Sequence, residues 1–307
     1  MGDVLVWVPL QAVADGLADV AGVSVEVVNP DEDGSLPASA ADVEFYVPPF
    51  FPRDAVVRAL AEMPGLKVVQ TMTAGVDLLR SHLPSGVLLC NARGVHDAST
   101  AEWVVTAALA SRRRFPHFAA EQAEARWSYE FTGSLAGSTV LIVGYGSIGA
   151  AVERRLTGFD VTVERVARSA REGVHPVADL PGLLPRADVV ILLAPVTAQT
   201  IGMVDAAFLA AMKDGALLVN AARGILVVTG DLLAELRTGR LSAALDVTDP
   251  EPLPPGHPLW SLPNVLITPH VAASTGYSAL TAVRFLRAQV LRYVSGSQLQ
   301  NVITAEY

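Results

Sequence analysis

Lysine is almost missing from this 307-residue chain: Lys67 and Lys213 are the only two, and arginine supplies nearly all of the positive charge. That habit of composition carries no function by itself. Cysteine is scarcer still. The single Cys90 excludes a disulfide within the chain, and its place at the end of the apolar run Val87 to Leu89 predicts a buried structural thiol rather than a nucleophile. A basic surplus is also lacking: at a net charge of -9 there is nothing to neutralise a phosphate backbone, which argues against a nucleic-acid partner. No apolar run approaches the ~18 residues needed to span a bilayer. Met1 to Pro9 carries neither a basic n-region nor a cleavage-site pattern, and no spacing of His, Cys, Asp and Glu suggests a metal site. The expectation from these absences is a soluble cytoplasmic protein.

What is present begins with length, since a single core seldom grows past ~250–300 residues and two domains are therefore expected. The chain is organised around Thr139 to Gly149, Thr-Val-Leu-Ile-Val-Gly-Tyr-Gly-Ser-Ile-Gly. A short β-branched run breaks into glycines and then into the helix-forming Ala150 to Leu156, the pattern of a buried parallel strand turning into a helix. Gly144, Gly146 and Gly149 fit the dinucleotide-binding fingerprint: the first for a tight turn, the second for close approach of backbone to pyrophosphate, the third for helix packing on the strand. A pyrophosphate would sit on the amides at the helix N-terminus.

Before that stretch, strand-like runs occur at Val4 to Val8, Val23 to Val28, Val43 to Val47, Leu66 to Gln70 and Val87 to Cys90, with helical spacing over Asp54 to Met63 and Asp54 as N-cap. These predict a small parallel α/β sheet. The stretch from Asn29 to Ala41 reads as a loop. Val47-Pro-Pro-Phe-Phe51 and Gln70-Thr-Met-Thr-Ala-Gly-Val76 each follow a strand, where open sheets bind ligands. Asp97 to Phe118 predicts one long helix capped by Ser99 or Thr100, ending in a solvated basic turn at Arg112 to Arg114, and Glu121 to Phe131 an irregular arm. Beyond the fingerprint, strands at Thr139 to Val143, Val161 to Val166, Asp188 to Leu193, Ala216 to Asn220, Ala243 to Val247 and Val265 to Thr268 make six, the count of a doubly wound dinucleotide fold. Thr275 to Val294 predicts a last amphipathic helix with Leu280, Val283, Leu286, Val290 and Val294 on one face, packing back on the first domain. The two crossings of the chain would form a hinge over a cleft.

The polar residues Arg168, Arg223, Asp246, Glu251 and His270 each come shortly after a predicted strand, so a parallel sheet delivers them to one edge. Gly-Tyr-Gly-Ser-Ile-Gly, Asn220-Ala-Ala-Arg-Gly224, Ala244-Leu-Asp-Val-Thr-Asp-Pro-Glu-Pro252 and Thr268-Pro-His270, in this order, resemble the D-isomer-specific 2-hydroxyacid dehydrogenases, of the glyoxylate or hydroxypyruvate reductase kind.

The resemblance implies an α/β protein of two domains. One is a Rossmann-type doubly wound parallel sheet over residues 98–274; the other is a smaller flavodoxin-like substrate domain over 1–97, completed by the C-terminal segment 275–307. It further implies that Arg223 grips the carboxylate and carbonyl oxygen of a 2-keto acid through its bidentate fork. His270 is the general acid, and Glu251 holds the imidazole and stabilises its charged form. Backbone amides of Ala74, Gly75 and Val76 bind the substrate carboxylate from across the cleft. Cofactor contacts are implied for Gly144, Gly146, Ser147, Ile148, Gly149, Arg168, Ser169, Pro195, Thr200 and Ala222, with Asp246 orienting the carboxamide. No role falls to His82, His96, His117, His175 or His257. Val228 stands where many members have Asp, and Ala272-Ala273 where small residues follow the histidine; neither removes a catalytic group.

Cofactor choice rests on the end of the second strand. NAD-binding members place an acidic residue roughly 20 residues beyond the fingerprint for the ribose 2′-hydroxyl. Here Ala167 stands at that place, followed by Arg168 and Ser169. The expectation is NADP(H) over NAD(H), acting on a small 2-keto acid in a homodimer clasped by the arm from Glu121 to Phe131. Pro49, Phe50 and Phe51, with Trp127 or Tyr129 of a second subunit, would also form an apolar wall for larger or aromatic keto acids. The other readings are a phosphite or 3-phosphoglycerate dehydrogenase and, outside enzymes, a dinucleotide-sensing corepressor-like binding protein. Glu251, where formate dehydrogenases have glutamine, argues against formate.

Overall fold

Runs of Val, Ile and Leu a few residues long, separated by helix formers, fold here as parallel strands buried on both faces. The computed structural model describes residues 2–30, 36–50 and 54–304. The first elements are β1 (Val4–Val8), α1 (Gln11–Leu17), β2 (Val23–Val27), β3 (Val43–Tyr46), α2 (Asp54–Leu60), β4 (Val68–Gln70), α3 (Asp77–Arg80), β5 (Leu88–Cys90), α4 (Asp97–Arg112) and α5 (Phe115–Ala123). There follow β6 (Thr139–Val143), α6 (Ser147–Leu156), β7 (Thr162–Ala167), β8 (His175–Pro176), α7 (Leu180–Leu183), β9 (Val189–Leu192), α8 (Ala206–Ala211), β10 (Leu217–Asn220), α9 (Thr229–Thr238), β11 (Ser242–Leu245), β12 (Val265–Ile267) and α10 (Gly276–Val294). The chain divides into two units, Met1–His96 with Gly276–Tyr307, and Asp97–Thr275.

The first unit holds a five-stranded parallel sheet in the order β2-β1-β3-β4-β5. Alternation along β1 sends Val6 and Val8 into one apolar layer, with Leu286 and Val290 of α10, and Trp7 into the opposite layer with Tyr46 and Leu60. Cys90 is fully buried, and that burial pushes its thiol up to about 11. The buried stripe of α10 differs from the expected one. Leu280 is exposed, whereas Gln289 is completely buried. Its Nε2 donates to Gln70 Oε1 at 2.7 Å and to the Gln300 carbonyl at 2.9 Å, and its Oε1 accepts from the Gln300 amide at 3.0 Å. Full satisfaction is what allows an amide into this core. Gln289→Leu deprives the buried Gln70 Oε1, and the carbonyl and amide of Gln300, of this partner and is expected to lower stability by about 1–3 kcal/mol. A urea midpoint unmoved by the substitution would remove the network from the stability of this unit.

The second unit holds a seven-stranded parallel sheet, β12-β11-β10-β9-β6-β7-β8. The strand beyond the expected six is β8, two residues paired to the edge of β7. Leu141 and Val143 of β6 enter one core layer, and Val140 and Ile142 the other, where the small residues Ala101, Ala107 and Ala108 of α4 pack close.

The single helix expected over Asp97 to Phe118 is two. Arg114 turns into the left-handed region at φ 54°, and α5 restarts with Pro116 in its first turn. A proline further inside a continuous helix would delete a hydrogen bond and clash with the preceding turn, so the break falls just ahead of it. Ser99 and Thr100 do not precede the helix as a cap would; they lie buried inside α4, which starts at Asp97. Nor is Arg112 to Arg114 merely a solvated turn. Arg112 donates to the Gly215 and Ser134 carbonyls, Arg113 to Thr132 Oγ1 at 3.0 Å, and Arg114 pairs with Glu130, so this run pegs down the irregular segment that follows α5.

Candidate active site

In the second unit all strands are parallel, so their carboxyl ends share one edge of the sheet, and strand order sets the order of the loops along it. Read from β7 through β6, β9, β10 and β11 to β12, that edge carries Arg168 and Ser169, then the glycine fingerprint, then Pro195 and Thr200, then Ala222 and Arg223, then Asp246 and Glu251, then His270.

At the end of β6, Gly144 has φ 101°, and a Cβ there would stand 2.3 Å from the Ala194 amide nitrogen, so only glycine fits. A Cβ on Gly146 would meet nothing within 4 Å. That open ground, flanked by the first-turn amides of Ser147, Ile148 and Gly149, is a cradle of donors suited to an anion such as a pyrophosphate. The first bond of α6 runs from the Ala150 amide to the Gly146 carbonyl, 3.0 Å, so those amides head the helix rather than serve its ladder. A dinucleotide therefore fits these residues. Past β7, Ala167 ends the strand, and Arg168 and Ser169 are exposed with no carboxylate at the expected acidic place. After β9, Thr200 Oγ1 donates to the Pro195 carbonyl at 2.6 Å and accepts from the Thr197 amide at 2.8 Å, which closes that loop into a tight turn.

The loop after β10 is shaped by Asn220, which sequence reasoning quoted at the head of its motif without assigning it a role. Its buried side chain accepts from the Ala222 amide at 3.0 Å and donates to the Arg223 carbonyl at 3.0 Å. Arg223 is half-buried and extended, with Nη1 on the Ala222 carbonyl at 2.8 Å. Behind it, a Cβ on Gly224 would fall 1.9 Å from the Thr248 carbonyl oxygen. Backbone on backbone thus seats the Arg223 loop against the loop that leads to Glu251.

His270 and Glu251 are brought together: Nδ1 lies 2.6 Å from Oε1. The histidine sits at φ 54°, its amide bonded to the Asp246 carbonyl at 2.8 Å. Histidine tolerates this left-handed region better than most residues, at a cost of order 1 kcal/mol. Asp246 is 2% exposed and does more than the sequence disclosed. Its Oδ1 accepts from Thr268 Oγ1 at 2.5 Å and from the Val271 amide at 2.9 Å, and its Oδ2 from the Ala272 amide at 2.9 Å. One carboxylate therefore clamps both sides of the turn that presents the imidazole.

In the first unit, Ala74, Gly75 and Val76 lie past the end of β4. The Thr73 carbonyl accepts from Thr71 Oγ1 and the Ala92 amide, that of Ala74 from Asn91 Nδ2 at 2.8 Å, and that of Gly75 from Thr73 Oγ1 at 2.8 Å. With successive carbonyls engaged, the loop holds one shape. Of the apolar wall, Phe50 is half-buried with its ring 5.7 Å from that of His96, while Phe51 lies outside the described residues. Among the described residues no group of three or more His, Cys, Asp and Glu could hold a metal ion, and no helix is long and apolar enough to cross a membrane.

A doubly wound sheet with a pyrophosphate cradle and a carboxylate-held histidine along one edge defines a dinucleotide-dependent dehydrogenase class, and the comparisons narrow it. The sequence model of the D-isomer specific 2-hydroxyacid dehydrogenase NAD binding domain matches residues 105–272, and the chain belongs to this family. It is 34% identical over 254 residues to mouse glyoxylate reductase/hydroxypyruvate reductase, covering 78% of this chain and 77% of that protein. It is also 32% identical over 249 residues to D-3-phosphoglycerate dehydrogenase of Archaeoglobus fulgidus, spanning 78% of this chain but only about half, 47%, of that relative. Among solved structures, a D-isomer specific 2-hydroxyacid dehydrogenase from Xanthobacter autotrophicus in complex with NADPH and MES superposes with a TM-score of 0.85 at 30% identity, covering 99% of this chain and 98% of that one.

Proposed function

We propose that the protein is an NADPH-dependent reductase of small 2-keto acids of the glyoxylate and hydroxypyruvate type, forming the D-2-hydroxy acid. The observation that carries this reading is the His270–Glu251 pair, 2.6 Å apart, on the same sheet edge as the pyrophosphate cradle. When bound, the reduced nicotinamide supplies a hydride to the carbonyl carbon. His270 then donates its proton to the carbonyl oxygen from Nε2, because Nδ1 is taken up by Glu251. Glu251 holds the ring through Nδ1, and Asp246 keeps it at one angle by clamping the turn beneath it. Arg223 presents a planar, permanently charged fork to the substrate carboxylate and carbonyl, and the amides of Ala74, Gly75 and Val76 add donors for the carboxylate. The unit Asp97–Thr275 serves as the dinucleotide domain and the other as the substrate domain.

Preference for NADPH rests on Ala167, Arg168 and Ser169: no carboxylate stands there to repel a 2′-phosphate, and an exposed guanidinium and hydroxyl follow directly in the chain. The protein acts in the cytoplasm as a homodimer. Trp127, Tyr129 and Phe131, at 97%, 80% and 90% exposure, are aromatic surface that a second copy would cover. The test is a panel of 2-keto acids with both cofactors, followed by absorbance of the reduced nicotinamide. Glyoxylate or hydroxypyruvate with NADPH is expected to give the highest kcat/KM, at least tenfold over NADH. Fast turnover of phenylpyruvate with poor turnover of both small acids would overturn the substrate, and a higher efficiency with NADH would overturn the cofactor.

A further inference from the structure

The variable residue of the fingerprint, Tyr145, is held by more contacts than a turn residue needs. Its amide donates to the Val166 carbonyl at 2.9 Å, and its hydroxyl donates to Glu153 on α6. Two guanidiniums flank its ring, Arg165 with Cζ 5.8 Å and Arg171 with Cζ 5.7 Å from the centroid. The two arginines differ in one respect. Arg165 forks onto Glu153, with Nε at 2.9 Å from Oε2 and Nη2 on Oε1, so its charge is matched by a carboxylate. That pairing lowers the Glu153 carboxyl below its ordinary range, Arg165 being the main cause. Arg171 has no carboxylate partner among the described residues; its Nη2 donates to the Tyr145 carbonyl at 2.5 Å. Its backbone is bridged to Val174 around a turn that contains Gly173 at φ 69°.

The consequence is an exposed but oriented cation in the loop that follows β7, three residues beyond Arg168. A long arginine ordinarily loses side-chain freedom when it captures an anion. Arg171 has already lost much of it, to a carbonyl and to the face of an aromatic ring. Glu153 completes the arrangement: it neutralises Arg165, so that the two guanidiniums can share one ring, and it fixes the ring through the hydroxyl.

We infer that Tyr145, braced by Glu153 and Arg165, is a positioning residue that holds Arg171 as the second guanidinium, beside Arg168, of the site for the 2′-phosphate of the cofactor. This rests on the NADPH preference proposed above, with Arg171 as a binding residue and Tyr145 acting through it. A guanidinium on a phosphate makes charge-assisted bonds, so its loss is felt by NADPH and not by NADH.

Calorimetric titration of the full chain with NADPH and with NADH, without keto acid, tests the inference. Arg171→Gln is expected to weaken NADPH tenfold to thirtyfold and NADH by less than twofold. Tyr145→Leu removes the ring while the main-chain carbonyl stays, and is expected to weaken NADPH threefold to tenfold with the same selectivity, whereas Tyr145→Phe keeps the ring, loses only the hydroxyl brace to Glu153, and is expected to weaken NADPH by less than Tyr145→Leu does. Arg154→Gln, which removes an exposed charge on α6, leaves the ratio of the two dissociation constants within twofold. If the wild-type protein binds NADH as tightly as NADPH, the cofactor reading falls and this inference with it. If it prefers NADPH and Arg171→Gln keeps that preference, or weakens both cofactors alike, Arg171 is only a clasp of its own turn and the inference alone is overturned. Equal behaviour of Tyr145→Leu and wild type would remove Tyr145 from the role.

Discussion

His270→Asn lowers kcat for keto-acid reduction by on the order of 10²–10⁴ while leaving the dissociation constant of NADPH within about threefold. Asparagine is the informative replacement because His270 sits at φ 54°, a region asparagine also tolerates, so the turn clamped by Asp246 survives while the proton donor is removed. Alanine at that position would add backbone strain and confuse a lost acid with a moved loop. Glu251→Gln keeps a group of similar size 2.6 Å from Nδ1 but removes its charge, so its loss should be smaller than that of His270→Asn. Applied together, the two substitutions should cost far less than the product of the single effects, since residues acting as one unit are strongly non-additive. Steady-state kinetics and cofactor titration of the three variants check this. Near-normal turnover in His270→Asn would take the imidazole out of the proton transfer.

Much of the fold was legible because parallel strands buried on both faces leave a loud signal. Val4 to Val8 and Thr139 to Val143 read as strands from their apolar runs and form them at those residues. The convergence of Arg223, Glu251 and His270 on one edge was legible for a related reason: a residue shortly after a parallel strand has its end of the sheet decided by chain direction alone. What stayed hidden depends on partners that no local pattern announces. Gln289 enters the core because Gln70, 219 residues away, accepts its amide, and a hydropathy pattern reads it as a surface glutamine. The run Arg112 to Arg114 read as a solvated turn because its acceptors lie in a segment without periodicity. The break at Arg114 had a local signal, Pro116, which the apolar spacing of the surrounding helix outweighed. Within the site, Asp246 offered its type and its place after β11, but not the three donors from Thr268, Val271 and Ala272 that converge on it.

Arg223→Lys should lower kcat/KM for the 2-keto acid by on the order of 10²–10³, the equivalent of about 3–4 kcal/mol, with NADPH binding little changed. The charge is conserved in this variant, so the comparison isolates geometry. A guanidinium offers parallel N–H donors in one rigid plane and can hold a carboxylate and a carbonyl oxygen at once, whereas an ammonium is a point charge on a flexible stem. The surrounding structure is built for the planar group. Nη1 is already anchored on the Ala222 carbonyl at 2.8 Å, Asn220 shapes the main chain on either side, and Gly224 lets the loop lie against the Thr248 carbonyl. A lysine here has one nitrogen to divide between that anchor and the substrate, so it gives up either its own position or the contact. The loss should therefore appear in kcat as well as in KM, because the carbonyl oxygen gains negative charge on the way to the alcohol and the fork binds that state more tightly than the ground state. A rise in KM alone would reduce Arg223 to a carboxylate anchor, and unchanged kinetics would remove it from the reaction.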